Sequence, residues 1–164
     1  MRLAVTRYDH DKSPYVLSEV LRNAMDNDMI IVCIGTDRVI GDSLAPVVGS
    51  MLKSRGFRYP VYGTLDRPIH ALNIYESINM VKQKHPNSTI IAIDACLGAK
   101  ESIGNVNIRN TPIEPGKGVG KNLPEIGDYS IIGIVGEINN TRDFNDIRLN
   151  FIMDMAESIL LAAS

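Results

Sequence analysis

Short apolar runs alternate along the chain with segments whose apolar positions recur every three to four residues. The first run is Met1–Thr6, read as a short strand. Ser13 and Pro14 then stand as a helix N-cap and a first-turn proline, with Leu17, Val20, Leu21 and Ala24 at helical spacing behind them. Met29–Gly35 (MIIVCIG) is continuously apolar, as expected of a strand covered on both faces. After the loop Thr36–Asp42, Ser43 is placed to cap a helix whose stripe is Leu44, Val47, Val48, Met51 and Leu52, ended by Gly56. Pro60–Thr64 is a second such strand. A helix over His70–His85 follows, with Ala71, Ile74, Tyr75, Ile78 and Val81 on one side. Thr89–Ala95 (TIIAIDA) is a third buried strand, Tyr129–Gly136 the last, and Asn145–Ala163 a closing helix carrying Ile152, Met155, Ala156, Ile159 and Leu160.

Strands alternating with helices predict an α/β fold with a mostly parallel sheet. One step breaks the pattern. Val106 and Ile108 alternate with polar residues in Asn105–Arg109, which reads as a strand. Only nine residues, Cys96–Gly104, lead into it, and a parallel crossover needs at least about 10 to 12. This strand is expected to run antiparallel to the one before it. The 19-residue stretch Asn110–Asp128 holds three prolines and the glycine-rich run Pro115–Lys121. Structureless loops longer than about 12 to 15 residues are uncommon and tend to be functional or disordered.

Composition narrows the class. The 164 residues are 45% apolar with a net charge of −2, which fits one α/β domain over residues 1–164 and excludes intrinsic disorder. A pI of about 5.9 argues against nucleic-acid binding by bulk charge. No apolar run approaches the roughly 18 to 20 residues of a membrane span, and Met1–Arg7 lacks a signal-peptide core. A cytoplasmic protein is expected. Cys33 and Cys96 sit in apolar runs with no histidine nearby and are read as reduced, unreactive thiols. A homodimer is the ordinary expectation for a soluble oligomer.

In an open parallel sheet, ligands bind beyond the carboxyl ends of the strands. The residues there are Thr36 and Asp37, then Asp42, after the first buried strand; Asp66 and His70 after the second; and Asp94 at the end of the third. Asp37, Asp42, Asp66 and Asp94 are expected on one edge, where repulsion would raise at least one carboxyl pKa. Simpler roles exist for each: Asp37 and Asp66 as turn residues, Asp42 at a helix start, Asp94 bonded to loop amides, His70 opening a helix. The glycine run is neither a P-loop nor a dinucleotide fingerprint, since Pro115 and Asn122 stand where glycine and Ser/Thr are required. Lys117 and Gly118 remain candidates for contact with substrate backbone. The three histidines, His10, His70 and His85, show no ligand spacing, so no metal or other cofactor is expected, although Asp42, Asp94 and His70 make a conceivable three-ligand set.

Several strings occur together in a distinctive order: Ile34-Gly35-Thr36-Asp37-Arg38, Gly41-Asp42-Ser43-Leu44-Ala45-Pro46, Gly63-Thr64-Leu65-Asp66-Arg67-Pro68-Ile69-His70-Ala71, Ile93-Asp94-Ala95-Cys96-Leu97-Gly98 and Pro115–Lys121. They resemble the YyaC-type sporulation proteins of endospore formers. More distantly, Asp42–Pro46, Ile93–Ala95 and Pro115–Lys121 are similar to landmarks of the spore germination protease, an atypical aspartic endopeptidase, whose fold relatives are the hydrogenase maturation proteases. The resemblance implies a three-layer α/β/α sandwich with one antiparallel strand, and a peptidase using Asp42 and Asp94 in a sporulating cell or spore interior. Thr36, Asp37, Asp66, His70, Lys117 and Gly118 would then bind a peptide or protein substrate. Two other readings stand beside it: a non-catalytic sporulation protein binding a peptide or partner in the same cleft, and a metal-dependent peptidase of the maturation type. The chain is much shorter than the germination protease, has Ala45 at a customary glycine, and lacks the histidine that the maturation proteases place after the antiparallel strand.

Overall fold

A computed structural model describes residues 1–24, 28–115, 123–139 and 146–163. Six strands form one sheet: β1 (Arg2–Arg7), β2 (Met29–Cys33), β3 (Val61–Tyr62), β4 (Thr89–Gly98), β5 (Asn105–Arg109) and β6 (Tyr129–Glu137). Their spatial order is β1-β5-β6-β4-β2-β3. β5 pairs antiparallel with both β1 and β6, while β6, β4, β2 and β3 pair in parallel. β5 is therefore the one strand that runs against the rest, as its short lead-in requires.

Four helices complete the α/β/α sandwich: α1 (Ser13–Ala24), α2 (Leu44–Ser54), α3 (Ile74–Lys84) and α4 (Leu149–Ala163). The alternation of side chains along each strand sorts the core into two layers. Ile31, Cys33, Ile91, Ile93, Val106, Ile108 and Ile131 meet α1, α2 and α4 on one face. Ile30, Val32, Ile34, Ile90 and Ala92 meet Ile74, Ile78 and Val81 of α3 on the other. Among the described residues, three helices cover the first face and one the second. Every residue of β2 is buried, which explains its unbroken apolar run.

Some boundaries differ from the pattern-based expectation. α3 begins at Ile74 rather than His70, because the Asn73 side chain ties down the preceding turn, accepting from the His70 amide and donating to the Pro68 carbonyl. The Ser43 hydroxyl does not cap α2 but donates back to the Ile40 carbonyl inside a short 3-10 turn, Ile40–Ser43. The second strand shrinks to Val61–Tyr62, since Gly63 leaves it at φ +86°. β4 runs on past Ala95 to Gly98, held by β6 after β2 has stopped at Cys33. Within the stretch 110–128, Ile113 and Ile126 pair through two backbone hydrogen bonds and are buried against the α3 layer. Asp128 fastens its end to β4, its carboxylate accepting from the Ile90 amide at 2.8 Å.

Gly63 packs so tightly on β2 that a Cβ there would lie 1.9 Å from the Cys33 carbonyl oxygen. Clash and left-handed backbone act together, so Gly63→Ala is expected to destabilise by about 3 kcal/mol or more and lower Tm by ~10 °C. Thermal melting followed by circular dichroism measures this; a change under ~2 °C would contradict the packing described.

Candidate functional site

Asp94 sits in β4 at the level where β2 ends. Cys33 pairs with Ile93 and the Ile34 amide still donates to the Ile93 carbonyl, so Asp94 stands where the pairing of β4 with β2 ends. Since Ile93 and Ala95 point into the three-helix layer, Asp94 points to the α3 face. Part of its surface meets solvent and the rest is packed. Its Oδ1 accepts from the Ala95 amide at 2.8 Å.

Asp42 reaches the same place by a different route. Beyond β2 the Ile34 amide donates to the Ile93 carbonyl and the Gly35 amide to the Ile69 carbonyl. The chain then loops round so that the Thr36 amide donates to the Asp42 carbonyl at 3.0 Å. Gly35 makes this possible: with φ +147°, a Cβ would stand 2.1 Å from the Asp42 carbonyl oxygen. The 3-10 turn carrying Asp42 packs against β4 and α4.

The two carboxyls are within electrostatic reach of each other. Asp94 is pushed up to about 8, first by loss of water, with the Asp42 charge adding to the rise and the Ala95 amide opposing it. Asp42 is pushed up to about 6, again by loss of water, against the lowering influence of the Thr36 amide. Near pH 7 the pair therefore carries mainly one charge, on Asp42, and one proton, on Asp94.

The other acidic candidates are more exposed than this pair. Asp66 is exposed and accepts from the Thr64 hydroxyl; that bond, with the charges of Arg67 and Lys53, lowers its pKa. Asp37 is exposed, in the loop between Thr36 and the 3-10 turn. Thr36 is half-buried beside Asp42, its hydroxyl accepting from the Arg38 amide. His70 follows Ile69, whose bridge to Ile34 brings this segment alongside the β2 exit; its Nδ1 accepts from the Leu72 amide at 3.2 Å. Lys117 and Gly118 lie outside the described residues. Among the described residues, no group of three His, Cys, Asp or Glu side chains is placed to hold a metal ion.

Two neighbours, Asn107 and Arg109, escape the sequence reading, and a third, Cys96, is read there only as an unreactive thiol. Cys96 lies on the same face as Asp94, two residues on, and is pushed up to about 11 by burial and the Asp94 charge, against Arg109. It is held as a thiol, as is Cys33, pushed up to about 12 by complete burial. Asn107 and Arg109 of β5 share that face, because Val106 and Ile108 point the other way. Only the strand order, with β5 beside β6 and β6 beside β4, brings them near. Nothing in the local sequence signals it.

With this geometry in view, comparison with known proteins identifies the family. A family model described as "Protein of unknown function (DUF1256)" matches residues 5–162. The chain belongs to this family. It is also similar to the "Uncharacterized protein YyaC" of Bacillus subtilis, at 46% identity over 144 residues, covering 86% of this chain and 70% of that protein. The YyaC-type resemblance read from the motifs is thereby established. No helix among the described residues is long and apolar enough to cross a membrane.

Raised carboxyl pKa values are paid for in stability, with a definite sign. The folded state holds protons that the unfolded chain releases near pH 3.8. Stability from these groups is thus full below about pH 4 and is lost as pH rises through about 6 and about 8. Asp94→Asn removes the larger part. At pH 8.5 it is expected to stabilise by roughly 2 to 4 kcal/mol, solvent contact trimming the full shift, and near pH 4 to change little. Urea unfolding of both proteins at the two pH values checks this; equal differences at both would refute it.

Proposed function

We propose that this protein is a hydrolase of amide bonds, most readily a peptidase, in which Asp42 and Asp94 share the acid–base work. What supports this reading is that the fold sets two partly desolvated carboxyls, 52 residues apart in sequence, within electrostatic reach of each other, with burial pushing Asp42 up to about 6 and Asp94 up to about 8. Asp42, ionised, takes a proton from a water molecule as its oxygen attacks the substrate carbonyl carbon. Asp94, protonated, gives its proton to the leaving nitrogen as the C–N bond breaks. Passage of the proton from Asp42 to Asp94 restores the starting state. A carboxylic acid and an amine leave, and no other reactant is consumed.

The likeness of Asp42–Pro46 and Ile93–Ala95 to germination-protease landmarks supports peptide over other amides. Thr36 and His70, beside the β2 exit, are the candidate substrate contacts nearest the pair. Asp37 and Asp66 fit the outer rim. Membership in the YyaC-type family supports action in the cytoplasm of a sporulating cell.

The experiment is digestion of a proteome-derived peptide mixture by the full chain in ¹⁸O water, read by mass spectrometry. New carboxyl termini bearing ¹⁸O are expected from the wild type. Asp42→Asn and Asp94→Asn are each expected to lower the rate by about 10³-fold or more while remaining folded. The kcat/KM profile should be bell-shaped, falling below about pH 6 as Asp42 takes up its proton and above about pH 8 as Asp94 loses its own. Absence of cleavage by the folded wild type between pH 5 and 9, or undiminished cleavage by either variant, overturns the proposal.

A further inference from the structure

The α3 face of the sheet carries two arginines side by side on its outer strands. Arg2 of β1 pairs in register with Arg109 of β5. Arg109 points to this face because Ile108, next to it, points into the opposite layer, and register partners share a face. Residues directly opposite across antiparallel strands stand about 4.5 to 5.5 Å apart at Cβ, and like charges there repel. Both guanidiniums are charged at any working pH. Both also meet solvent: Arg2 is exposed, Arg109 is half-buried, and Val5 in the adjacent row is 41% exposed. Among the described residues neither arginine forms an ion pair or a side-chain hydrogen bond. Arg7, on the same strand as Arg2, is occupied: it donates to the Asp9 carboxylate and to the Ile103 carbonyl. Acids of the inner strands do not answer the charge. Asp128 accepts from the Ile90 amide, and burial keeps the proton on Asp94 near neutrality. A half-buried guanidinium facing a second one, with no acceptor for either, is a costly arrangement for the protein alone.

We propose that Arg2 and Arg109 form a binding site for a phosphate group, held between the two guanidiniums on the solvent side of β1 and β5. The proposal goes beyond the hydrolase reading and does not rest on it. Charge selects the ligand. A phosphate group carries about −1.5 to −2 near neutrality and three acceptor oxygens, enough to balance two arginines; a carboxylate supplies one charge and two oxygens. Each guanidinium is a planar fork that grips two oxygens at once. A phosphate between them turns one repulsion into two attractions. Partial burial of Arg109 keeps solvent from screening its share as fully as at an open surface. Register also fixes where the group sits. Asp94 pairs with Ile132 and Ile132 with Asn107, two residues before Arg109. Two strand separations and two residues along the strand put the Cα atoms of Arg109 and Asp94 roughly 12 Å apart. The charge of Arg109 is nevertheless felt at Cys96 on β4. The phosphate therefore lies beside the carboxyl pair and outside its hydrogen-bonding reach. It is free phosphate or the phosphate monoester of a small molecule, which present the same oxygens.

The test reads binding alone. Inorganic phosphate, methyl phosphate and acetate are titrated separately into the ¹⁵N-labelled full chain at about pH 7.5, with ionic strength held constant by chloride. NMR follows the Arg109 side-chain Nε–H and the backbone amides of Arg2, Arg109 and Asn110. Saturable shifts confined to these groups are expected with both phosphates, at concentrations at least roughly tenfold below those acetate needs. Tighter binding of methyl phosphate assigns the site to a monoester, and tighter binding of inorganic phosphate to the free ion; either supports the proposal. Arg109→Gln should abolish the shifts, and Arg2→Gln should raise the concentration needed by roughly tenfold. Arg109→Lys, which keeps the charge but loses the planar fork, should also weaken binding by several-fold. Without phosphate and at low salt, Arg2→Gln should leave Tm unchanged or raise it, since it removes a repulsion. Shifts matched by acetate or by added chloride, shifts scattered over the surface, or undiminished binding by Arg109→Gln each overturn the proposal. So does a Tm lowered by more than ~3 °C in Arg2→Gln, which would give the pair a structural role. Arg2→Gln, at an exposed position, keeps the test decisive if Arg109→Gln does not fold.

Discussion

Two carboxyl groups withdrawn from water and set within reach of each other are the feature to which the rest of this fold is fitted. Left to themselves they would turn outward, where a carboxylate is well solvated. They are held by backbone. Asp94 belongs to a strand hydrogen-bonded on one side along its length, and Asp42 to a 3-10 turn drawn against Gly35 by the Thr36 amide. Neither position depends on a flexible side chain. The apolar layers of β2 and β4, buried on both faces, supply the stability that offsets the cost. A partly desolvated pair on a rigid frame is a common feature of functional sites, where stability is exchanged for reactivity.

The same withdrawal of water acts differently on thiols. Cys96 lies two residues beyond Asp94 and feels its charge, yet the neighbouring Arg109 does not offset burial and that charge, and the thiol keeps its proton. For a carboxyl, loss of water moves the pKa toward neutrality, where proton transfer is useful. For a thiol it moves the pKa away. One environment thus prepares the aspartates for acid–base chemistry and silences the cysteine.

The parts of this arrangement that follow from local pattern were legible in the sequence. Continuous runs such as MIIVC mark strands covered on both sides, and the nine residues before Asn105 are too few for a parallel return. Asp42 and Asp94 were also visible, as acids just beyond or within apolar strands. What escaped depended on pairing between distant segments. Nothing in Cys96-Leu97-Gly98 announces a strand; β6 makes it one, and so turns Asp94 from a strand end into a residue within a strand. Asp66 reads like Asp94 in sequence, but follows a two-residue edge strand and stays in an exposed turn. Arg2 and Arg109 look like ordinary polar positions of outer strands until the strand register shows which face they share.

The reversal of β5 ties these observations together. A parallel sheet acquires a covering helix with each crossover, so a fully wound version of this fold would be covered on both faces. Here the link from β4 to β5 is too short for a helix. The return from β5 to β6 is the stretch 110–128, whose described part lies on the α3 face through Ile113 and Ile126. The α3 helix itself packs over β2 and β4. Among the described residues no helix therefore lies over the β6 and β5 half of that face, and Asp94 and Ile132 keep contact with solvent there. A single short connection accounts for the antiparallel strand, for the lack of a described helix over it, and for the polar groups of β5 sharing a face with an acid of β4. The solvent contact beside Asp94 is thus a consequence of topology.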